Sequence, residues 1–125
     1  NVLSNAADAV AQEHYRVRGI GGSFIGRLSV KSSNEDRAGL AGICVRIGDN
    51  GPGVPVEIRK AIFSEYYTTK APGHGTGIGL SSSLAIIRNH GGTLKVDACN
   101  ELGGALFEIW VPLAPPKGYT ARDAA

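Results

Sequence analysis

The sequence predicts an α+β fold: a two-layer α/β sandwich in which helices cover one face of a mixed, largely antiparallel sheet. Two pairs of segments alternate between apolar and polar residues, and each pair is joined by a polar turn. Two further segments carry apolar residues at helical spacing. Paired strands with separate helices favour this architecture. We assign residues 1–113 to one domain and residues 114–125 to a C-terminal tail or linker, since 125 residues fit a single domain.

The first half of the chain is predicted to form a helix over residues 1–17 and strands over 24–32 and 40–49. The apolar positions of the helix are Val2, Leu3, Ala6, Ala7 and Val10. The polar segment 33–39 joins the two strands into a hairpin. A turn-rich loop follows the second strand.

The second half is predicted to form a short helix over residues 56–63 and a longer one over 80–90. Between them, residues 64–79 lack apolar periodicity and are rich in glycine. A loop of that length in a small domain is usually functional or mobile. Two closing strands are expected over 93–99 and 105–112, again as a hairpin.

Composition argues against several classes of partner. The chain has 13 Lys+Arg and 11 Asp+Glu, a net charge of +2, and no run of basic residues, so we expect neither nucleic acid binding nor direct membrane contact. No apolar run approaches the roughly 18 residues of a membrane span, which favours a cytoplasmic location, whether or not a parent protein is membrane-anchored. Cys44 and Cys99 lack metal-site spacing and are expected to be reduced thiols near the core.

A polar stripe runs along the first helix. Asn1, Asn5, Asp8 and Gln12 lie at i, i+4, i+7 and i+11, which places them on one face. A solvated face is one explanation, but exposed faces usually carry Lys, Glu or Arg, whereas Asn and Asp disfavour helix. Amide and carboxylate oxygens also suit Mg²⁺, which keeps several waters and takes few protein ligands. The stripe is therefore a candidate magnesium site.

The loop DNGPG at 49–53 follows an apolar strand. It is either a tight turn only or part of a binding site. Asp49 stands at the strand end beside the core, where its carboxylate can accept a hydrogen bond from an exocyclic amine such as adenine N6. Gly51 and Gly53 let a ring approach the backbone closely.

The segment GHGTGIGL at 73–80 leads directly into the second long helix. Successive glycine N–H groups beside a helix N-terminus form an anion cradle. The segment has neither the GxxxxGK[ST] pattern of a P-loop nor the GxGxxG spacing of a dinucleotide fold. A flexible linker is the alternative, although a well-patterned helix begins at Leu80. Together the three features describe a site for Mg-ATP.

These motifs resemble those of the GHKL ATPase superfamily, which has the Bergerat-type ATP-binding fold. NVLSNAADAV (1–10) resembles its N box, DNGPG (49–53) its first glycine box, IFSEYYTTK (62–70) its F box and GTGIGL (75–80) its second glycine box. HGG (90–92) and GGALFEIWVP (103–112) resemble the closing segment of sensor histidine kinases. The Tyr-Thr-Thr-Lys ending of the F box looks most like kinases of the nitrogen-regulation type. The resemblance covers nearly the whole chain and implies the catalytic (HATPase_c) domain of a sensor histidine kinase.

The resemblance implies a role for each matching residue. Asn1, Asn5 and Lys70 are the implied catalytic residues, with Asn5 ligating Mg²⁺ and Lys70 reaching the terminal phosphate as a point charge. Asp49 is implied to bind adenine N6. The other implied ATP contacts are Asp8 on the phosphate side, Gly51 and Gly53 beside the base, Tyr67 of the F box, and Gly75, Thr76, Gly77, Ile78, Gly79 and Leu80 of a lid. Residues 64–79 are implied to order when nucleotide binds.

The chain departs from the family pattern in three ways. Asn1 stands where the ATP-hydrolysing branches have a glutamate base, and an amide does not activate water, which favours phosphoryl transfer. Ala105 stands where many relatives have a threonine near the adenine, which implies weaker affinity. The sequence starts at the N box, without the strand and helix that normally precede it or a phosphoacceptor domain. His14, His74 and His90 lie outside the acceptor motif.

The implied reaction transfers the ATP γ-phosphoryl group to a histidine on a separate phosphoacceptor domain of the same kinase. The phosphate then passes to an aspartate of a response regulator. The resemblance also implies a monomeric isolated domain and a homodimeric parent kinase. Two alternatives stay open: a GHKL nucleotide-binding switch or scaffold without phosphotransfer, and a serine kinase of the anti-sigma-factor type.

Overall fold

The computed structural model describes residues 1–70, 77–114 and 117–118. Within them the chain forms two α-helices, α1 (Val2–Gly19) and α2 (Gly79–Asn89), and four strands. The strands are β1 (Leu28–Asn34), β2 (Gly42–Asp49), β3 (Thr93–Ala98) and β4 (Ala105–Pro112). The predicted lid residues Gly75 and Thr76, and most of the predicted tail, lie outside the described residues. Neither described helix combines the length and the apolar character that a membrane crossing needs.

The described strands form one antiparallel sheet in the order β1-β2-β4-β3. Both predicted hairpins are present, and β2 pairs with β4 to join them. The register sets Ile47 opposite Phe107 and Cys44 opposite Trp110. Because side chains alternate along a strand, the first pair faces the helices and the second faces the other side. The predicted α+β sandwich is confirmed, and its sheet is antiparallel rather than mixed over this part of the chain.

Both helices pack on one face of the sheet and bury the core against it. Helix α1 contributes Val2 and Ala6, which are 8% and 1% exposed. Leu3 and Ala7 were predicted to share this apolar face, but both are exposed, because residues four apart, such as Val2 and Ala6, define the side turned to the sheet. The other buried residues of this core are Ile47, Ile62, Leu94, Ala105 and Phe107.

The helix predicted over 56–63 is instead two separate 3-10 turns, Val56–Ile58 and Ala61–Phe63. Arg59 lies between them and donates from Nε to the carbonyl of Val54 at 3.1 Å. Its Nη1 also donates to Oδ1 of Asp97 on β3 at 2.7 Å. The segment is thereby tied to the loop after β2 and to the sheet. Short turns of this kind are usual in such connectors.

Strand β1 begins at Leu28, four residues later than predicted, because the segment before it pairs with a side chain. Asn50 Oδ1 accepts from the N–H of Arg27 at 2.7 Å, and Asn50 Nδ2 donates to the carbonyl of Ile25 at 2.8 Å. The amide therefore satisfies backbone groups that a neighbouring strand would otherwise pair. The second residue of the DNGPG loop has a structural role.

The face of the sheet away from the helices is covered by the loop after β1. The Arg37 guanidinium lies 5.5 Å from the ring centroid of Trp110, and Trp110 Nε1 donates to the carbonyl of Glu35 at 2.7 Å. A side chain at Gly42 would collide with the Trp110 ring, because its Cβ would lie 2.5 Å from Cζ2. The loop and the tryptophan thus pack as one unit.

Two arginines and two glutamates form a closed charge network on this same face. Arg37 and Arg46 each bridge the carboxylates of Glu35 and Glu108, with nitrogen–oxygen distances of 2.7–2.9 Å. Cys44 lies fully buried beneath the network, and burial raises the pKa of its thiol. Cys44 and Cys99 are both free and buried, as predicted.

Candidate functional site

A cavity of about 990 Å³ lies between α1, the end of the sheet and the segment that follows β2. The three features singled out in the sequence all reach it: the polar stripe of α1, the aspartate at the end of β2 and the glycine-rich segment before α2. The lining residues are Asn1, Ser4, Asn5, Asp8, Ala9, Gln12, Tyr15, Asp49, Gly53, Val54, Ile58, Ile62, Tyr67, Thr68, Thr69, Lys70, Gly77, Gly79, Leu80, Ala105 and Phe107.

Asp49 forms the base of the cavity and is only 1% exposed. Its Oδ1 accepts from the backbone N–H of Gly51 at 2.9 Å and of Ala105 at 3.1 Å. Its Oδ2 is also buried, yet it has no hydrogen-bond partner in the part of the chain that the structure describes. A buried carboxylate oxygen without a donor is costly. This oxygen is therefore positioned for a donor that a ligand supplies.

Gly104 fixes the position of the Asp49 carboxylate, and the sequence analysis missed it. A Cβ at this position would overlap Asp49 Oδ1 and would lie 2.5 Å from the Asp49 carbonyl oxygen and 2.7 Å from the Gly51 nitrogen. The N–H of Gly104 also donates to the Asp49 carbonyl at 2.9 Å. In the sequence, Gly104 belongs to a Gly-Gly pair at the start of the segment 103–112, between the last two predicted strands, and nothing local links it to Asp49.

The glycines of the DNGPG loop have different surroundings. Gly53 lines the cavity with a positive φ of 75°, a conformation that favours glycine. Gly51 is buried and lies against Ala9 of α1, where a Cβ would sit 3.0 Å from the Ala9 backbone. Gly51 is not among the residues that line the cavity. Its observed contribution to the site is the N–H that orients Asp49.

An apolar wall surrounds the Asp49 end of the cavity. Apart from Ala105, its members were not predicted as part of the site, because they belong to the hydrophobic core or to the loop after β2. The wall consists of Val54, Ile58, Ile62, Ala105 and Phe107. Apolar walls with a few placed polar atoms are typical of small-molecule sites, and here they adjoin a single unpartnered acceptor.

The polar stripe of α1 faces the cavity along its whole length: Asn1, Asn5, Asp8 and Gln12 all line it. Asn5 makes no side-chain hydrogen bond to any residue that the structure describes, so its amide oxygen is available to a ligand. Asn1 Nδ2 instead donates to the carbonyl of Gly79 at 3.0 Å and to Ser83 Oγ at 3.2 Å. Asn1 thereby ties the start of α1 to the first turn of α2.

The donors along this stripe suit a magnesium ion that keeps most of its waters. Residues 1–70, 77–114 and 117–118 contain no group of three or more His, Cys, Asp or Glu side chains placed to enclose a metal. Mg²⁺ typically takes one or two protein oxygens together with substrate phosphates. Asn5, with Asp8 three residues further along the same face, matches that requirement.

Lys70 reaches the cavity from the predicted F box. Its Nζ lies 2.5 Å from Oδ2 of Asp8, and its backbone N–H donates to Thr68 Oγ1 at 3.1 Å. Tyr67 lines the cavity beside it and packs against the core. The structure therefore places Asp8, Tyr67 and Lys70 together at the cavity.

The glycine-rich segment meets the cavity at its C-terminal end. Gly77, Gly79 and Leu80 line the cavity, whereas Ile78, which precedes α2 as its N-cap residue, is not a lining residue. Gly77 has a φ of 69°, and a Cβ there would lie 2.6 Å from Cα of Tyr66. The F-box backbone and the end of this segment therefore fit together only with glycine at position 77.

Comparison with known proteins gives one consistent family. The sequence profile described as "Histidine kinase-, DNA gyrase B-, and HSP90-like ATPase" (HATPase_c) matches residues 1–115. The two-component sensor PprA of Pseudomonas aeruginosa is 35% identical over 116 residues, which cover 93% of this chain and 11% of PprA.

Solved structures agree with the sequence match. The mycobacterial sensor histidine kinase MprB has a TM-score of 0.60 at 28% identity, covering 72% of this chain and 58% of that one. Full-length ShkA in complex with AMPPNP has a TM-score of 0.58 at 28% identity, covering 73% of this chain and 18% of that one. This chain thus spans only a small part of PprA and of ShkA. With its four motifs around one cavity and a profile match over nearly its whole length, the chain belongs to the HATPase_c family, the histidine kinase-, DNA gyrase B- and HSP90-like ATPases.

Proposed function

We propose that this chain is the ATP-binding catalytic domain of a two-component sensor histidine kinase. It transfers the γ-phosphoryl group of ATP to a histidine on a separate phosphoacceptor domain. The observation that carries the proposal is the unpartnered, buried Oδ2 of Asp49. It lies at the base of a cavity whose other walls carry an amide-rich helix face and a lysine.

The adenine binds at the Asp49 end in this proposal. Its N6 amine donates to Asp49 Oδ2, and its ring lies between the apolar wall and the backbone of Gly53. The proposal is supported by the ligand of ShkA, since AMPPNP carries the same adenine base. Asp49 Oδ1 already accepts from the N–H of Ala105. The adenine amine therefore bonds to Oδ2, which has no partner among the described residues.

The triphosphate extends toward the polar stripe of α1. Asn5 ligates the Mg²⁺, which supplies positive charge to the phosphates, and Lys70 contacts the terminal phosphate. Gly77, Gly79 and Leu80 border the phosphates from the α2 side, and Gly75, Thr76 and Ile78 belong to the same lid. Asn1 positions the start of α2, because its amide is bonded to Gly79 and Ser83.

Phosphoryl transfer needs little covalent chemistry from this chain. The imidazole nitrogen of the acceptor histidine attacks the γ-phosphorus, the bond to the bridging oxygen breaks, and ADP leaves. The domain contributes positioning and neutralisation of the phosphate charge. Asn1 does not provide a general base for water, which favours transfer over hydrolysis.

The proposal extends to the partners of the parent kinase. The acceptor domain belongs to the same kinase, a response regulator takes the phosphate onward, and the parent is a homodimer while this domain alone is monomeric. The domain works in the cytoplasm. The Tyr-Thr-Thr-Lys ending at Lys70 favours a kinase of the nitrogen-regulation type.

The test is to mix the chain with a separately produced acceptor domain and ATP labelled on the γ-phosphate. A label on the acceptor that is lost in acid and kept in base identifies phosphohistidine and supports the proposal. An acid-stable label identifies a serine kinase instead. Nucleotide binding without any labelled protein supports the switch or scaffold alternative.

A further inference from the structure

Among the described residues, one cationic side chain lines the cavity, and a carboxylate of the same chain already pairs with it. Among the described residues that line the cavity, the charged side chains are Asp8, Asp49 and Lys70. Lys70 Nζ lies 2.5 Å from Asp8 Oδ2. A triphosphate that enters therefore meets no unpaired cationic side chain among these residues, and it meets two carboxylates.

The Asp8–Lys70 pair has the properties of a contact that can exchange partners. The Lys70 side chain is 41% exposed and that of Asp8 is 49% exposed, so water screens their attraction. The Lys70 backbone N–H donates to Thr68 Oγ1, two residues earlier in the same segment. The lysine side chain is a flexible four-carbon chain, so its ammonium can change partners by rotation about its own bonds.

Asp8 also lies where a cation at Asn5 can reach it. The two residues are three positions apart on α1 and share the face that lines the cavity. A magnesium ion near Asn5 is therefore close enough to replace Lys70 as the counter-charge of Asp8, directly or through one of its waters.

We propose that Asp8 withholds Lys70 from nucleotide until magnesium arrives. When Mg-ATP binds, Lys70 exchanges Asp8 for phosphate oxygens, and the ion takes the place of Lys70 beside Asp8. Metal-free ATP is disfavoured, because the same exchange leaves Asp8 unpaired next to the phosphates. Asp8 is thus a positioning residue that makes the site selective for the metal complex of its nucleotide. This inference rests on the proposed function.

The test measures ATP affinity by calorimetry, in excess Mg²⁺ and in EDTA, for the wild-type chain and for Asp8→Asn. The amide keeps the shape of the carboxylate and releases Lys70. We expect Asp8→Asn to bind metal-free ATP up to about fivefold more tightly than the wild type, the limit for an exposed ion pair. In excess Mg²⁺ we expect its increase in ATP affinity over the wild type to be smaller. The ratio of the two dissociation constants, EDTA over Mg²⁺, therefore falls. Asp8→Glu restores it.

A second readout follows Lys70 itself. The NMR signal of the Lys70 side-chain nitrogen, assigned with Lys70→Arg, is expected to shift when Mg-ATP is added to the wild type. In Asp8→Asn without ligand it already lacks the signature of the ion pair. A signal that does not move on Mg-ATP binding to the wild type overturns the exchange.

The matched control is Glu101→Gln. It removes the Lys31–Glu101 ion pair, which is similarly exposed, at 64% and 61%, and lies outside the cavity lining. The ratio of its ATP dissociation constants, EDTA over Mg²⁺, must equal that of the wild type. If Asp8→Asn fails to fold, Lys70→Gln carries the test with the opposite sign: Asp8 loses its partner, so the ratio must rise.

The outcomes separate this inference from the function on which it rests. If Asp8→Asn changes affinity by the same factor with and without Mg²⁺, Asp8 only braces the Lys70 segment and this inference alone is wrong. A wild-type chain that binds no ATP in either solution removes the proposed function, and the inference with it.

Discussion

The two oxygens of the Asp49 carboxylate have different surroundings, and this difference sets what the site can recognise. Oδ1 is committed to the N–H groups of Gly51 and Ala105, whereas Oδ2 is buried without a partner in the described part of the chain. An asparagine at this position must keep its carbonyl oxygen on the two N–H groups. Its NH₂ then occupies the Oδ2 position and faces the adenine amine, donor against donor.

Asp49→Asn is therefore expected to weaken ATP binding by about 1–3 kcal/mol, the cost of an unmatched buried polar group, or about five- to 150-fold. Titration with ATP measures it. Asp36→Asn makes the same chemical change at an exposed position and should leave affinity unchanged. Equal affinity for the wild type and Asp49→Asn excludes Asp49 as the adenine ligand.

Gly104→Ala tests the residue that fixes this carboxylate. The new methyl group overlaps Asp49 Oδ1 and the backbone around it, so we expect about 1–3 kcal/mol less stability and a loss of ATP affinity together. Urea unfolding and ATP titration check both. Gly19→Ala is the control, because a Cβ there meets nothing within 4 Å. Wild-type ATP affinity in Gly104→Ala contradicts the role of Gly104.

Local sequence signals singled out Asp49, which lines the cavity, but did not indicate Gly104. Asp49 follows an apolar strand and precedes two glycines, a pattern that is visible within five residues. The requirement at Gly104 arises only because β4 pairs with β2 and brings Gly104 against Asp49. The free Oδ2 is likewise a property of tertiary packing, which no local pattern encodes.

At the scale of elements, the contact between α1 and α2 holds the end of the glycine-rich segment beside the phosphate side of the cavity. Ser83 Oγ donates to the Gly79 carbonyl at 2.8 Å and accepts from Asn1 Nδ2 at 3.2 Å. Asn1 Nδ2 also donates to Gly79. Two hydrogen bonds from Asn1 thus join the start of α1 to the first turn of α2, and the bond between Ser83 and Gly79 lies within α2.

Ser83→Ala removes two of these bonds and is expected to cost about 1 kcal/mol, seen in urea unfolding and as faster hydrogen exchange in the first turn of α2. Alanine has a higher helix propensity than serine. The control is therefore Ser82→Ala at an exposed neighbouring position, which should raise the free energy of unfolding slightly. If the two variants have equal stability and exchange, the contact does not hold α2.

Periodicity predicted both long helices and all four strands in the described chain, although β1 is largely exposed. It failed at residues 56–63, where two short turns replace the helix. There the bonds from Arg59 to Val54 and to Asp97 fix the backbone. Side-chain bonds to distant segments override local propensity, and the sequence pattern does not contain them.

At the scale of the whole molecule, the two faces of the sheet have separate tasks. The helix face holds the core and the cavity, and the other face holds the network of Glu35, Arg37, Arg46 and Glu108. The alternation of apolar and polar residues predicted the two hairpins but not how they pair with each other. The order β1-β2-β4-β3 depends on pairing between β2 and β4, which are far apart in the sequence. The network depends on that same pairing, because β2 supplies Arg46 and β4 supplies Glu108.

The network makes the free energy of unfolding depend on pH in the acid range. Burial pushes the pKa of Glu108 upward, but the hydrogen bond from Arg37 and the charges of both arginines outweigh it and hold the pKa below its usual value. Hydrogen bonds from Arg37 and then Arg46 lower the pKa of Glu35. Carboxylates with a lowered folded-state pKa stabilise the fold above their unfolded pKa of about 4.3 and lose that contribution as pH falls through the folded value.

Glu108→Gln should therefore flatten the fall in unfolding free energy below about pH 4.3, measured by urea unfolding over a series of pH values. The variant is less stable than the wild type at neutral pH and converges toward it in acid. Glu57→Gln, an exposed glutamate outside the network, should leave the pH profile unchanged. Parallel profiles for Glu108→Gln and the wild type contradict the role of the network.

The position of Trp110 gives this chain a built-in optical reporter. It is the one tryptophan in the sequence, it is 4% exposed, and its indole lies under Arg37 on the side of the sheet opposite the cavity. Its fluorescence emission will move to longer wavelength when the sheet comes apart and water reaches the ring. The cavity proposed for nucleotide lies on the far side of the sheet, so we expect the same signal to stay constant during ligand titration, and unfolding can then be followed independently of binding in one sample.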